Sequence, residues 1–316
     1  MVSRTWAYYI GTRQGSHWNG SVPGLARRGH FRIYSNQQNS KRRDVGGSSM
    51  NRRISVFSLV SLAATIGLAC STVAGAAEPA GAAPPKPYAI PVGTPDYVIK
   101  AVQSTDRPAK DTVRDAARKP AELLTLSGVK PGDKVVEFGS FGQYFTHLLS
   151  AVVGDKGSVL MIDLPYLEQR TGQTSRDFAT AHPNSRYVNQ DYNTVELPAG
   201  LDAVVIVLYY HDLSLNNIDI ARFNANVFKA LKPGGTYFIV DHNARPGSGR
   251  EDTQKIHRID PATVKQEIGA AGFELVTDSK LLANPADDHT AMVFSGGIRG
   301  ETDQSVFKFR KPLSAK

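Results

Sequence analysis

Five consecutive apolar residues, Val204-Val205-Ile206-Val207-Leu208, lie inside the segment Leu201 to Tyr209, which otherwise has the length and β-branched content of a strand. A strand with one wet face alternates apolar and polar residues, so a continuous run must be buried on both faces, as in the middle of a parallel sheet. A sheet buried on both faces needs helices on both faces, and the flanking sequence supplies the alternation. The pattern predicts strands over Lys134 to Gly139, Ser158 to Asp163, Ser185 to Asn189 and Thr236 to Asp241. Helices are expected over Gln143 to Val153, Leu167 to His182 and Ile218 to Leu231. Lys130-Pro131-Gly132-Asp133 and Lys232-Pro233-Gly234-Gly235 read as turns into strands. After the helix Pro261 to Ala271, two strands follow with no helix between them, Phe273 to Leu281 and Ser305 to Arg310. The expected fold is α/β: a doubly wound, Rossmann-like sheet of about seven strands, mostly parallel with a C-terminal antiparallel pair, and helices on both faces.

Only part of the 316 residues belongs to that domain. Residues 1–49 are rich in Arg, Ser and Gly and read as a disordered or mis-assigned N-terminal extension, with Met50 as the true start. Residues 50–76 read as a signal peptide: Asn51-Arg52-Arg53, an apolar run from Ile54 to Cys70, then Ala74-Gly75-Ala76 ahead of a cleavage site. The protein is therefore expected to be exported, to the periplasm, without stable membrane insertion after cleavage. A retained anchor in the inner membrane is the alternative, because the run of about 17 residues is at the short limit for a span. Residues 77–95, rich in Ala, Pro and Gly, read as a linker, and 96–316 as the folded domain. Cys70 is the only cysteine, so cleavage leaves no disulfide, thiolate metal site or thiol nucleophile.

The formal charge of +8 suggests nucleic acid until it is divided. Residues 1–76 hold 10 of the 37 Lys and Arg and 1 of the 29 Asp and Glu, so the remainder is close to neutral. The folded part lacks the basic footprint of a nucleic-acid binder. A small-molecule partner is expected instead.

Val135-Val136-Glu137-Phe138-Gly139-Ser140-Phe141-Gly142 runs from strand to helix, the place where a nucleotide-like ligand meets a doubly wound sheet. Asp163 ends the next strand 21 residues beyond Gly142, near the ~20-residue spacing of an acid that takes ribose hydroxyls. Asp191, just after the third strand, is placed to meet an adenine edge. Tyr209-Tyr210-His211-Asp212 follows the fourth strand and Asp241-His242-Asn243 the fifth, so both histidines can reach a cleft at the same sheet edge. His211 is the first candidate for a catalytic base and His242 the second. Tyr209 and Tyr210 are candidates to face a cation, and His257 and Asp288-His289 to wall an acceptor. No His-Glu-x-x-His pattern occurs, and the His-Asp neighbours are adjacent in sequence, so no metal site is expected; magnesium at Asp241 is the alternative.

Gly128-Val129-Lys130-Pro131-Gly132, the stretch Glu137 to Thr146 and Leu231-Lys232-Pro233-Gly234-Gly235 resemble successive motifs of class I methyltransferases. From about Asp106 to Pro312 the chain is similar to a family of predicted bacterial methyltransferases, many with export signals. The matching segments include Arg114 to Pro120, His257 to Pro261 and Asn284 to Thr290. The resemblance implies S-adenosylmethionine as cofactor, held by Glu137, Gly139, Gly142, Tyr144, Asp163 and Asp191, and methyl transfer to a small or envelope-associated acceptor. One departure stands out. That family carries three consecutive glycines before Tyr-Phe-Thr, where this chain has Phe141-Gly142-Gln143, so bulk is expected beside the methionine moiety. A non-catalytic exported binding module descended from such an enzyme is therefore the alternative, with a nicotinamide-dependent oxidoreductase ranked behind it.

Overall fold

In a computed structural model that describes residues 87–313, the apolar run forms the middle of a sheet. The readings of residues 1–49 and of the signal at 50–76 lie outside the described residues, as does the start of the linker. The end of that linker is already part of the domain. Tyr88 donates to Glu122 Oε2 at 2.5 Å and accepts from the Ala121 amide at 3.0 Å, and Tyr88 and Ile90 pack on the core.

Helix α1 spans Asp96–Val102. Three short helices follow: α2 Ala109–Thr112, α3 Asp115–Arg118 and α4 Pro120–Ser127. Pro120 explains the last break: it cannot continue α3, but it starts α4 at the first helical position after Lys119 takes a left-handed φ of 46°. There follow β1 Lys134–Phe138, α5 Tyr144–Val153, β2 Ser158–Asp163, α6 Gln173–Ala181 and β3 Ser185–Asn189. The chain continues with β4 Leu201–Val207, α7 Ile220–Ala230, β5 Leu231–His242, α8 Thr253–Ile256, α9 Pro261–Ala270, β6 Glu274–Ser279 and β7 Gln304–Arg310.

The sheet order is β3-β2-β1-β4-β5-β7-β6, with the first five strands parallel and β7 antiparallel to both neighbours. Alternate residues feed opposite cores. Val136, Phe138, Val204 and Ile206 enter one core with Phe223 and Val227 of α7 and Val264 and Ile268 of α9. Val135, Ala203 and Val205 enter the other with Leu148, Leu149 and Val152 of α5. Caps define two helices: the Asp219 carboxylate accepts from the Arg222 amide at 3.0 Å, and Asp260 from Ala262 at 2.8 Å.

Several boundaries differ from expectation: α6 starts at Gln173 rather than Leu167, behind a π-helical turn over Glu168–Gly172. β4 stops at Val207 because Leu208 takes a φ of 56°, which turns the chain away from the sheet two residues early. Lys232-Pro233-Gly234-Gly235 is a bulge inside β5: Leu231 pairs with Leu201, and pairing resumes at Thr236 with Ala203. The strand order reverses between β1 and β4, and ligands of open α/β sheets lie beyond the carboxyl ends of the strands at such a switch point.

Candidate functional site

Beyond β1 and β4 lies a cleft of about 420 Å³, walled by Glu137, the turn Gly139 to Gly142, Leu208, His211-Asp212, His242 and His257. That volume is in the range of small-molecule sites. Leu208, Phe145, His242 and Arg118 also line an adjoining, more apolar chamber of about 460 Å³, with Leu123 and Val240 deeper in it.

Gly139 has a φ of 72°, and a Cβ there would meet the Tyr209 ring at 2.6 Å. Its backbone must therefore pass over Tyr209 without a side chain. Glu137 is 4% exposed, and its carboxylate accepts from the Thr146 hydroxyl at 2.6 Å. Burial pushes its pKa up to about 8, against the opposing hydrogen bond, so at neutral pH it is largely protonated. Asp163 is fully buried at the end of β2. Its Oδ1 accepts from the Ser140 amide at 2.7 Å and the Ser140 hydroxyl at 3.1 Å, which holds the glycine turn, while Oδ2 has no hydrogen-bond partner. Burial raises it to about 6 despite those bonds.

The three acids expected to hold the cofactor are thus not equivalent. Glu137 faces the cleft, Asp163 braces its floor from beneath the turn, and Asp191 is apart. The Asp191 side chain is exposed and accepts from the Asn193 amide at 2.9 Å, closing its own turn. Tyr144 lines the cleft, but its hydroxyl is taken: it donates to Asp115 Oδ1 at 2.6 Å, with Arg107 bidentate on the same carboxylate. The two bulky residues of the turn also part company. Phe141 walls the cleft, its ring 5.4 Å from that of Tyr209. Gln143 is buried at a left-handed φ of 54° and donates to the Ser175 hydroxyl at 2.9 Å. It is not among the residues that wall the cleft, so the expected bulk at that position is absent.

His211 and His242 both reach the cleft, with ring centroids 5.8 Å apart, but their states are opposite. His211 Nδ1 donates to Asp241 Oδ1 at 2.6 Å, and its amide donates to Asp241 Oδ2 at 2.7 Å. Burial favours the neutral ring, but Asp241 and Asp212 outweigh it and carry the pKa to about 10. Those carboxylates favour the protonated ring at neutral pH; turnover by His211→Ala tests its expected role as base. His242 is pulled by burial down to about 3 despite Asp241, so it is neutral; its Nδ1 stands 2.7 Å from the Thr302 hydroxyl. Of the tyrosines, Tyr209 packs beneath Gly139, while Tyr210 points away and donates to Glu267 Oε2 at 3.0 Å. His289 does not line the cleft; its Nε2 lies 3.0 Å from Asp303.

Two acids take parts that sequence reasoning did not give them. Asp241 holds His211 in place, and the acid of the adjacent Asp-His pair was its only signal. Asp212 joins His257, 45 residues further along, with Oδ1 2.9 Å from His257 Nδ1.

The strand order, the reversed β7 and a glycine turn over the switch point are the arrangement of the class I methyltransferase fold. Comparison with known sequences agrees. The ubiquinone/menaquinone biosynthesis C-methyltransferase UbiE of Vibrio cholerae is 25% identical over 190 residues, covering 58% of this chain and 64% of its own length. The UbiE of Vibrio vulnificus is 27% identical over 187 residues with the same coverage. The chain therefore spans just under two thirds of the curated relatives it matches. Among solved structures, an S-adenosylmethionine-dependent methyltransferase from Aquifex aeolicus aligns over 64% of this chain and 98% of its own, at 19% identity and a TM-score of 0.46. One from Mesorhizobium loti covers 62% and 99%, at 18% identity and a TM-score of 0.45. No family model matches the chain.

Proposed function

We propose that this chain transfers a methyl group from S-adenosylmethionine to a small, largely apolar acceptor. The observation that carries the reading is the cleft at the switch point, where a side-chain-free turn over Tyr209 and a buried carboxyl at Glu137 share one wall. The residues present fit the cofactor: the volume is adequate, the Gly139 backbone is bare, and the Glu137 carboxyl lines the cleft. When bound, S-adenosylmethionine supplies an electrophilic methyl group. Glu137, Gly139 and Gly142 would hold it, with Asp163 fixing the turn through Ser140. Asp191 and Tyr144 keep only supporting parts, because their polar atoms are engaged elsewhere.

The acceptor is placed in the adjoining chamber, where Leu123, Phe145, Val240 and Leu282 provide apolar contact. Arg118 and Arg299 line both spaces and would orient an anionic or phenolic group at the boundary. The UbiE relatives, whose name places them in ubiquinone and menaquinone biosynthesis, agree with an apolar acceptor. His242, neutral and lining both spaces, is the side chain that can accept a hydrogen bond there, and His211 contributes position and charge. We read the domain as exported by the segment 50–76, with periplasmic location checked by fractionation and N-terminal sequencing. Among the described residues, no helix is long and apolar enough to cross a membrane.

Calorimetric titration with S-adenosylhomocysteine tests the reading. Saturable binding is expected, weakened at least roughly tenfold by Asp163→Ala through loss of the turn. A folded protein that does not bind the ligand would end the proposal.

A further inference from the structure

Inside the same cleft, three atoms of metal-ligand type converge. His211 Nε2, Asp212 Oδ1 and His257 Nδ1 all lie within 4.8 Å of one another. Asp212 Oδ1 stands 3.2 Å from His211 Nε2 and 2.9 Å from His257 Nδ1. Neighbouring ligands around an octahedral first-row ion with bonds of ~2.1 Å stand ~3.0 Å apart, so two of the three edges already have the right length.

The surroundings are built for such a centre. Asp241 takes the His211 Nδ1–H at 2.6 Å and the His211 amide at 2.7 Å, which fixes the tautomer and turns Nε2 toward Asp212 and His257. A carboxylate behind a ligating imidazole is the usual outer support of a metal-bound histidine. Although the ring is 1% exposed, Nε2 has no hydrogen-bond partner, because its approach to Asp212 is off the hydrogen-bonding direction. His257 is held at a left-handed φ of 55°, unfavourable for a residue with a Cβ. Its neighbour Arg258 secures that position, fully buried, bidentate on Asp287 and donating to the Asn243 carbonyl at 2.9 Å.

We propose that His211, Asp212 and His257 bind one divalent transition-metal ion, which displaces the proton from His211 Nε2 to solvent. Two imidazoles and one carboxylate favour iron(II), cobalt, nickel or zinc over magnesium or calcium, which take oxygen ligands. The remaining coordination positions open on the cleft that the glycine turn also lines. The site stands without the methyltransferase reading. Its role, holding an acceptor oxygen near the transferred methyl, rests on it. Sequence spacing gives no sign of such a set, because His257 lies 45 and 46 residues from Asp212 and His211, and because it is the short turn over His211–Asn216 that lets adjacent residues converge.

The full chain, stripped with EDTA and titrated with Co²⁺, tests the proposal by visible absorption, with Zn²⁺ stoichiometry measured by elemental analysis. One ion per chain is expected. Asp212→Asn and His257→Gln should each weaken Co²⁺ binding at least roughly tenfold, as should the supporting change Asp241→Asn, while His182→Gln leaves it unchanged. Circular dichroism confirms that each variant is folded. Absence of stoichiometric binding by folded protein, or equal binding by His257→Gln, overturns the site. An S-adenosylhomocysteine titration on the same samples separates the two proposals: metal without that ligand leaves the centre and removes the methyltransferase reading, and the reverse result does the opposite.

Discussion

At Gly139 a side chain is excluded twice, by the left-handed φ of 72° and by the Tyr209 ring, whereas Gly142, at a φ of 89°, has nothing within 4 Å of where a Cβ would stand. Gly139→Ala should therefore cost about 2–3 kcal/mol and Gly142→Ala about 1 kcal/mol, compared by thermal unfolding. Equal losses would show that contact with Tyr209 does not matter. Glu137 gives a pH dependence of definite sign. Its folded pKa of about 8 lies above the ordinary 4.5, so the folded chain holds a proton that the unfolded chain releases. Its stabilising effect is complete below pH 4.5 and is lost as the pH rises toward 8. Asp163, at about 6, acts in the same direction over a lower window. Between pH 6.5 and 8.5 the wild type should lose on the order of 1–2 kcal/mol more than Glu137→Gln, measured by urea unfolding. Parallel pH profiles would place the Glu137 carboxylate in a more polar setting than this one.

Helix α7 is fastened by Phe223, whose ring lies 4.8 Å from that of Phe138 and 5.7 Å from that of Tyr192. Phe223→Ala should destabilise by about 3–5 kcal/mol, read from the denaturation midpoint at constant slope. The segment after α8 is fastened by charge instead. Arg258→Met strands a buried carboxylate at Asp287 and should cost about 3–5 kcal/mol, much of it recovered by adding Asp287→Asn. No recovery would mean that the bonds from Arg258 to Asn243 and Ala291 carry the segment. This scale is also where the sequence is most readable. Periodicity locates β1, β2, β3 and α9 to within a residue, because two-sided burial leaves long apolar runs and Asp260-Pro261 marks a helix start. It does not reveal that Leu208 and Gln143 adopt left-handed backbones, since nothing in an isolated leucine or glutamine announces one. The site was legible where it follows from strand ends, at Glu137, the glycine turn, His211 and His242. It was not legible where it depends on distance across the fold, as with His257, or on which way a carboxylate turns, as with Asp191.

Over the whole molecule the charge is divided: the described domain belongs to a stretch with 27 basic and 28 acidic residues, and the excess lies in residues 1–76. Affinity for small ligands must then come from the cleft rather than from a long-range field. The cleft and the chamber share Leu208, Phe145 and His242, so a ligand in one closes a wall of the other. Cofactor and acceptor are accordingly expected to bind with positive coupling. The most direct test of the central claim is a crystal structure of the full chain grown with S-adenosylhomocysteine. The account predicts density for the ligand over the turn Gly139 to Gly142, beside Glu137 and within reach of His211 and His242. Ligand bound elsewhere, or that cleft filled by the protein's own side chains at saturating ligand, would contradict it.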